Sequence, residues 1–161
     1  MTTRKDVDEA IQLARSGDHL HALNMFLEIY GTDNAPPIRS PKDAAGLSYF
    51  GLTLALVKKE YKAAVELCKR AIDLEFYNGD HYANLSRVYL AAGKRKAAVD
   101  TAESGLKLQP DNAQLLSARR ALGVRARPAV PFLNRDHPIN VSIGQQRHAK
   151  KVAERQKKKK S

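Results

Sequence analysis

The chain has 161 residues, 43% of them hydrophobic but only 6% aromatic and none of them Trp, enough apolar material for a core of Ala and Leu between packed helices and a poor composition for a β-sandwich. Its one cysteine, Cys68, excludes an internal disulfide framework; Met1-Thr2-Thr3-Arg4-Lys5-Asp6 lacks the apolar stretch of a signal peptide, and no apolar run nears the roughly 18 residues of a membrane span, so a cytoplasmic location is expected. The net charge of +11 is uneven: residues 1–118 hold 15 cations and 15 anions, whereas residues 119–161 hold 13 cations against Asp136 and Glu154, which predicts a neutral body and a cationic tail.

In chain order, residues 3–31 predict a helix pair that turns at Gly17-Asp18, with the small Ala22 at the crossing and Phe26 one helical turn on. Residues 32–40 are turn-rich, and Asn34, Pro36, Pro37 and Pro41 are incompatible with a continuing helix. A second pair is expected over 45–78 and a third over 79–112. Lys62-Ala63-Ala64-Val65 recurs letter for letter as Lys96-Ala97-Ala98-Val99, 34 residues on. The same offset relates Leu56 to Leu90, Ala71 to Gly105, Ile72 to Leu106 and Leu74 to Leu108. Small residues at 64, 71, 98 and 105 let helices approach closely, and Gly93 suits a left-handed turn between the two helices of the third pair. Leu85 and Tyr89 share a helical face, and Pro110-Asp111 ends one helix before the next begins. A last apolar helix over 112–122 would cap the open end of the stack.

A helix–turn–helix of 34 residues with these small crossing residues resembles the tetratricopeptide repeat. Residues 79–112 carry the pattern best, through Tyr82, Leu85, Tyr89, Gly93, Ala98, Gly105 and Pro110. Residues 45–78 keep Tyr61, Ala64 and Ala71 but have Gly51 where a large apolar residue is usual, Lys59 for Gly and Phe76 for Pro. The resemblance implies an all-α fold, a right-handed superhelical stack of antiparallel helix pairs with about three units (3–31, 45–78, 79–112) plus the cap helix, within a domain of residues 1–123. An irregular, basic tail of residues 124–161 follows. It also implies a non-catalytic scaffold or adaptor whose first helices line a concave groove for a partner peptide or protein. In that register Tyr49, Thr53, Asn84 and Arg87 are the expected partner-binding residues, in a face shared with Val7, Ile11, Phe50, Val57, Ala83 and Ala91. One branch of the family clamps acidic chaperone tails with Lys, Asn and Arg. The matching places here hold Val7, Ile11, Phe50, Asp80 and Asn84, so that clamp is not expected.

Catalytic chemistry has little to stand on. There is no glycine-rich phosphate loop and no paired-Cys metal spacing. His19 and His21 diverge on a helix, and Cys68 has no adjacent base. No enzyme activity, metal or cofactor is therefore expected. The tail supports a second reading, a ribosome-, RNA- or DNA-associated factor that neutralises phosphates with Arg147, Lys150, Lys151, Arg155, Lys157, Lys158, Lys159 and Lys160. No aromatic is interleaved there, so contact with nucleic acid should be indifferent to sequence.

Overall fold

The computed structural model describes residues 4–31, 43–123, 130, 138–139, 141–143, 145–147 and 149–150. The chain divides into two compact units, Met1–Val124 and Arg125–Ser161. The described part of the first is all-helical: α1 (Arg4–Ser16), α2 (His19–Tyr30), α3 (Ala44–Thr53) running on through a π-helical turn (Leu54–Lys58), α4 (Tyr61–Leu74), α5 (Gly79–Ala91), α6 (Arg95–Leu108) and α7 (Ala113–Ala121). Sequential neighbours pack together, and the first helices of successive pairs also touch, α1 on α3, α3 on α5 and α5 on α7. In the second unit, residues 138–139, 141–143, 145–147 and 149–150 are helical.

Short polar side chains start three of these helices. Asp18 accepts from the His21 amide, Asn78 from the Asp80 amide and Asn112 from the Leu115 amide, each filling an otherwise unmet donor of a first helical turn. By contrast, α4 and α6 start at Glu60 and Lys94 with no side-chain cap. Small residues set the crossings. Ala64, Ala71 and Ala98 are fully buried. A Cβ at Gly105 would lie 2.7 Å from the Tyr82 Cβ and 2.9 Å from the Leu115 methyls, and one at Gly51 2.8 Å from the Ala64 carbonyl oxygen.

The 34-residue register holds for the second helices and fails for the first. The helix starts Asp43 and Asn78 are 35 apart, whereas Glu60 and Lys94 are 34 apart. The Ser86 hydroxyl donates to the Ala98 carbonyl at 2.8 Å, so Gly51, poised over the equivalent Ala64 carbonyl, matches Ser86 and not Leu85. Phe50 then matches Leu85 and supplies the large apolar residue that position 51 lacks. The π turn absorbs the extra residue, since its i→i+5 winding holds more residues per turn than an α-helix. It ends at Lys59, whose φ of 63° makes it the one non-glycine residue with positive φ among the described residues.

The core is divided as nearest-neighbour stacking requires. Phe26, Tyr30 and Phe50 meet with ring centroids 5.7–6.1 Å apart inside a cluster that joins the first two pairs to Leu85 and Val88. Ala83, Leu115 and Ala118 form a second cluster, and Ala98, Ala102 and Leu122 a third. The cap helix therefore buries Leu115 and Leu122, each worth about 1.5–3 kcal/mol relative to exposure.

Candidate functional site

First helices carry the polar residues that meet on one face of the stack. Arg15 leaves the last turn of α1 and reaches over α3: its Nε donates to the Tyr49 hydroxyl at 2.9 Å and its Nη2 to Asp80 Oδ2 at 2.7 Å. Its guanidinium lies 5.5 Å from the centre of the Tyr49 ring. The Tyr49 hydroxyl is 3.5 Å from the same Asp80 oxygen. The other oxygen of Asp80 accepts from Asn112 Nδ2 at 3.0 Å. One carboxylate in the first turn of α5 thus joins α1, α3 and the cap of α7. The Tyr49 bond, ahead of the charge of Asp80, pushes Arg15 above its ordinary pKa, and burial raises that of Tyr49.

Arg87, two turns along α5, is held differently. Its Nη2 donates to Gln114 Oε1 at 2.8 Å, and no carboxylate lies within ion-pair distance of it among the described residues. Burial lowers the Arg87 pKa, opposed by the more distant Tyr49 and Asp80. His19 is close enough for Arg87 to depress it, second to burial, and its Nδ1 is buried with no partner among the described residues. Burial thus weighs against the charge of Arg87, and a neutral amide is its one hydrogen-bond partner among the described residues.

The four expected groove residues do not form an open groove. Tyr49, Thr53 and Asn84, placed on the inner face by the sequence register, are 1%, 0% and 0% exposed and pack inside the stack. The Thr53 hydroxyl bonds back to the Phe50 carbonyl, and Asn84 Nδ2 donates to the Ser48 hydroxyl across the α3–α5 contact. Thr53 and Asn84 are thus internal, Tyr49 is buried with its hydroxyl taken up by Arg15 and Asp80, and Arg87 is half-buried. With Asp43 and Asn78 equivalent, Tyr49 rather than Phe50 matches Asn84, and Phe50 is a core residue. Sequence reasoning did not single out Arg15, Asn112 or Gln114, and named Asp80 only as a departure from the chaperone clamp. Arg15, the last cation of α1, was a faint signal, but its reach depends on how the irregularly spaced first pair sits on α3.

Of the tail residues, Arg147 and Lys150 are helical and exposed; Lys151, Arg155, Lys157, Lys158, Lys159 and Lys160 lie outside the described residues. Cys68 is buried under the α3–α4 crossing, donates to the Ser48 carbonyl at 3.5 Å, and has its pKa pushed up to about 12 by burial, so it is no thiolate nucleophile at neutral pH. Among the described residues no helix is long and apolar enough to cross a membrane.

A tetratricopeptide repeat model matches residues 55–122, from the π turn to the end of the cap helix. No curated protein matches the chain. Among solved structures it is similar to the first tetratricopeptide domain of Spaghetti (RPAP3), a structure described as bound to the HSP90 peptide SRMEEVD, with a TM-score of 0.52, 17% identity, and coverage of 73% of this chain and 87% of that one. At that identity the likeness is one of fold. The helix pairs, the small residues at their crossings and the matching repeat model agree that residues 55–122 are of the tetratricopeptide repeat type.

Proposed function

We propose that this protein is a non-catalytic interaction module that takes a partner peptide or protein on its first-helix face, beside Tyr49 and Arg87, with an acidic group of the partner at Arg87. The observation that carries the reading is the Arg87 guanidinium, half-buried, bonded to an amide oxygen and lacking a carboxylate among the described residues. A charge in such surroundings gains more from a bidentate carboxylate than an exposed one does. Thr53 and Asn84 are positioning residues in this reading, because their bonds hold α3 and its contact with α5. The peptide bound in the similar solved structure supports a peptide as the class of partner.

The test selects binders to the intact chain from a random-peptide display library and measures them again with Arg87→Gln. Selected peptides should share an acidic residue. Loss of one charged hydrogen-bond partner should weaken them by about 1.5–3 kcal/mol, on the order of tenfold or more, with the melting temperature unchanged. Equal binding by the variant would move the partner surface off Arg87.

A further inference from the structure

The balanced charge of residues 1–118 conceals a segregation that appears only in the folded stack, where Arg119 and Arg120 join it. Because α3, α5 and α7 lie side by side and each pair turns back on itself, the ends of these three helices fall at one end of the stack. Lys58 and Lys59 close the π turn, Lys94, Arg95 and Lys96 occupy the α5–α6 turn, and Arg119 and Arg120 lie in the last turn of α7. All seven are exposed. The Arg95 guanidinium bonds the Leu122 carbonyl and approaches that of Gly123 at 3.5 Å, which places the last two groups side by side. The opposite end carries Asp73, Glu75, Asp80 and Asp111 together with Lys107 and with Arg15, which pairs with Asp80.

Helix stability accounts for part of this pattern and fails for the rest. Cations at the ends of α3 and α7 complement the helix dipole. Lys94 and Lys96 stand instead at the start of α6, where the dipole disfavours them and where no acidic residue or side-chain cap is present. Nor does the fold neutralise them. Among the described residues, Lys94, Lys96, Arg119 and Arg120 make no ion pair, and Lys58 has only Glu60 at 4.0 Å. The large exposed apolar side chains of the first unit, Leu20, Phe76, Tyr77 and Leu108, belong to other segments. A protein partner would lack the buried anchor that interfaces rely on, whereas a phosphate backbone needs cations alone.

We propose that this end of the stack binds a nucleic-acid strand through its phosphates, without reading its sequence. Neighbouring parallel helices are about 8–10 Å apart, so the row of three helix ends spans roughly 20 Å and meets several successive phosphates. Arg119 and Arg120, counted with the tail by composition, belong to this folded surface. The proposal is independent of the peptide site, which involves other residues.

The experiment uses the intact chain, a fluorescent oligouridylate of about 20 nucleotides as probe, polyglutamate as competitor, and salt from about 50 to 200 mM. One variant combines Lys94→Gln, Lys96→Gln, Arg119→Gln and Arg120→Gln; another replaces Lys157 to Lys160 with Gln. Lys94→Gln with Lys96→Gln serves as the milder form should the fourfold variant melt early, and Lys94→Arg with Lys96→Arg should restore binding. The fourfold variant should bind on the order of tenfold more weakly at low salt, with a salt dependence shallower by about 0.7 per lost phosphate contact. Wild-type binding by that variant, with the loss confined to the tail variant, would overturn the proposal. So would polyglutamate displacing the oligonucleotide at equal charge concentration, which would make the surface a site for acidic protein.

Discussion

His81 shows what burial does to a single side chain. It is fully buried, its Nε2 lies 3.1 Å from Glu75 Oε2, and its Nδ1 has no partner among the described residues. Burial pulls its pKa below the ordinary 6.5, with the Glu75 bond and the charges of Glu75 and Asp80 opposing. It is held neutral, with the proton on Nε2. The unfolded chain takes up a proton as pH falls through about 6.5 while the folded chain does not, so stability is fully present above that value and declines below it. His19, lowered by burial and then by Arg87, acts in the same direction. The melting temperature should therefore drop between about pH 7.5 and 5.5, and His81→Gln should flatten the drop more than His19→Gln. A melting temperature that stays level or rises on acidification would mean that His81 is not held neutral. Nothing in the sequence marked this histidine, because its burial arises where α4 turns into α5 and not from its neighbours in the chain.

At the scale of elements, the unusual feature is the end of α3. Lys59 was visible as a residue standing where glycine is usual, and the structure gives it the left-handed conformation that glycine adopts without penalty. Its side chain recovers part of the cost, since Nζ donates to the Leu56 carbonyl at 2.9 Å. Lys59→Gly should stabilise the protein by about 1 kcal/mol, read as a higher urea midpoint at unchanged slope. A lower midpoint would show that the lysine contacts outweigh the backbone strain. The extra residue that precedes Lys59 was hidden from sequence comparison. The exact recurrence of Lys-Ala-Ala-Val anchors the second helices at 34, and a single offset carried onto the first helices put Gly51 opposite Leu85. Only the hydrogen bond of Ser86 and the close approach of Gly51 to matching carbonyls exposed the shift.

For the whole molecule, the first compact unit ends at Val124, and the tail's cations lie beyond it. Removing residues 145–161 takes away seven of the eleven net positive charges and should leave the melting of the helical unit unchanged, as followed by circular dichroism. Early melting or aggregation of the truncated chain would make the tail part of the structure. The sequence by itself determined the helical fold, the alternation of helix pairs and the small residues at their crossings, because period, turn chemistry and side-chain volume are local properties repeated along the chain. It also determined that Ala64, Ala71 and Ala98 would be buried, since a repeat places equivalent residues in equivalent contacts. Only the tertiary structure decided which polar and charged side chains meet. Arg15, Tyr49 and Asp80 come from three helix pairs, and whether a first-helix residue faces solvent or a neighbour depends on how the first pair is seated, which spacing does not encode. The same holds for the basic end: Lys58, Lys96 and Arg120 are far apart in the sequence and come to one end of the stack because parallel helices end together.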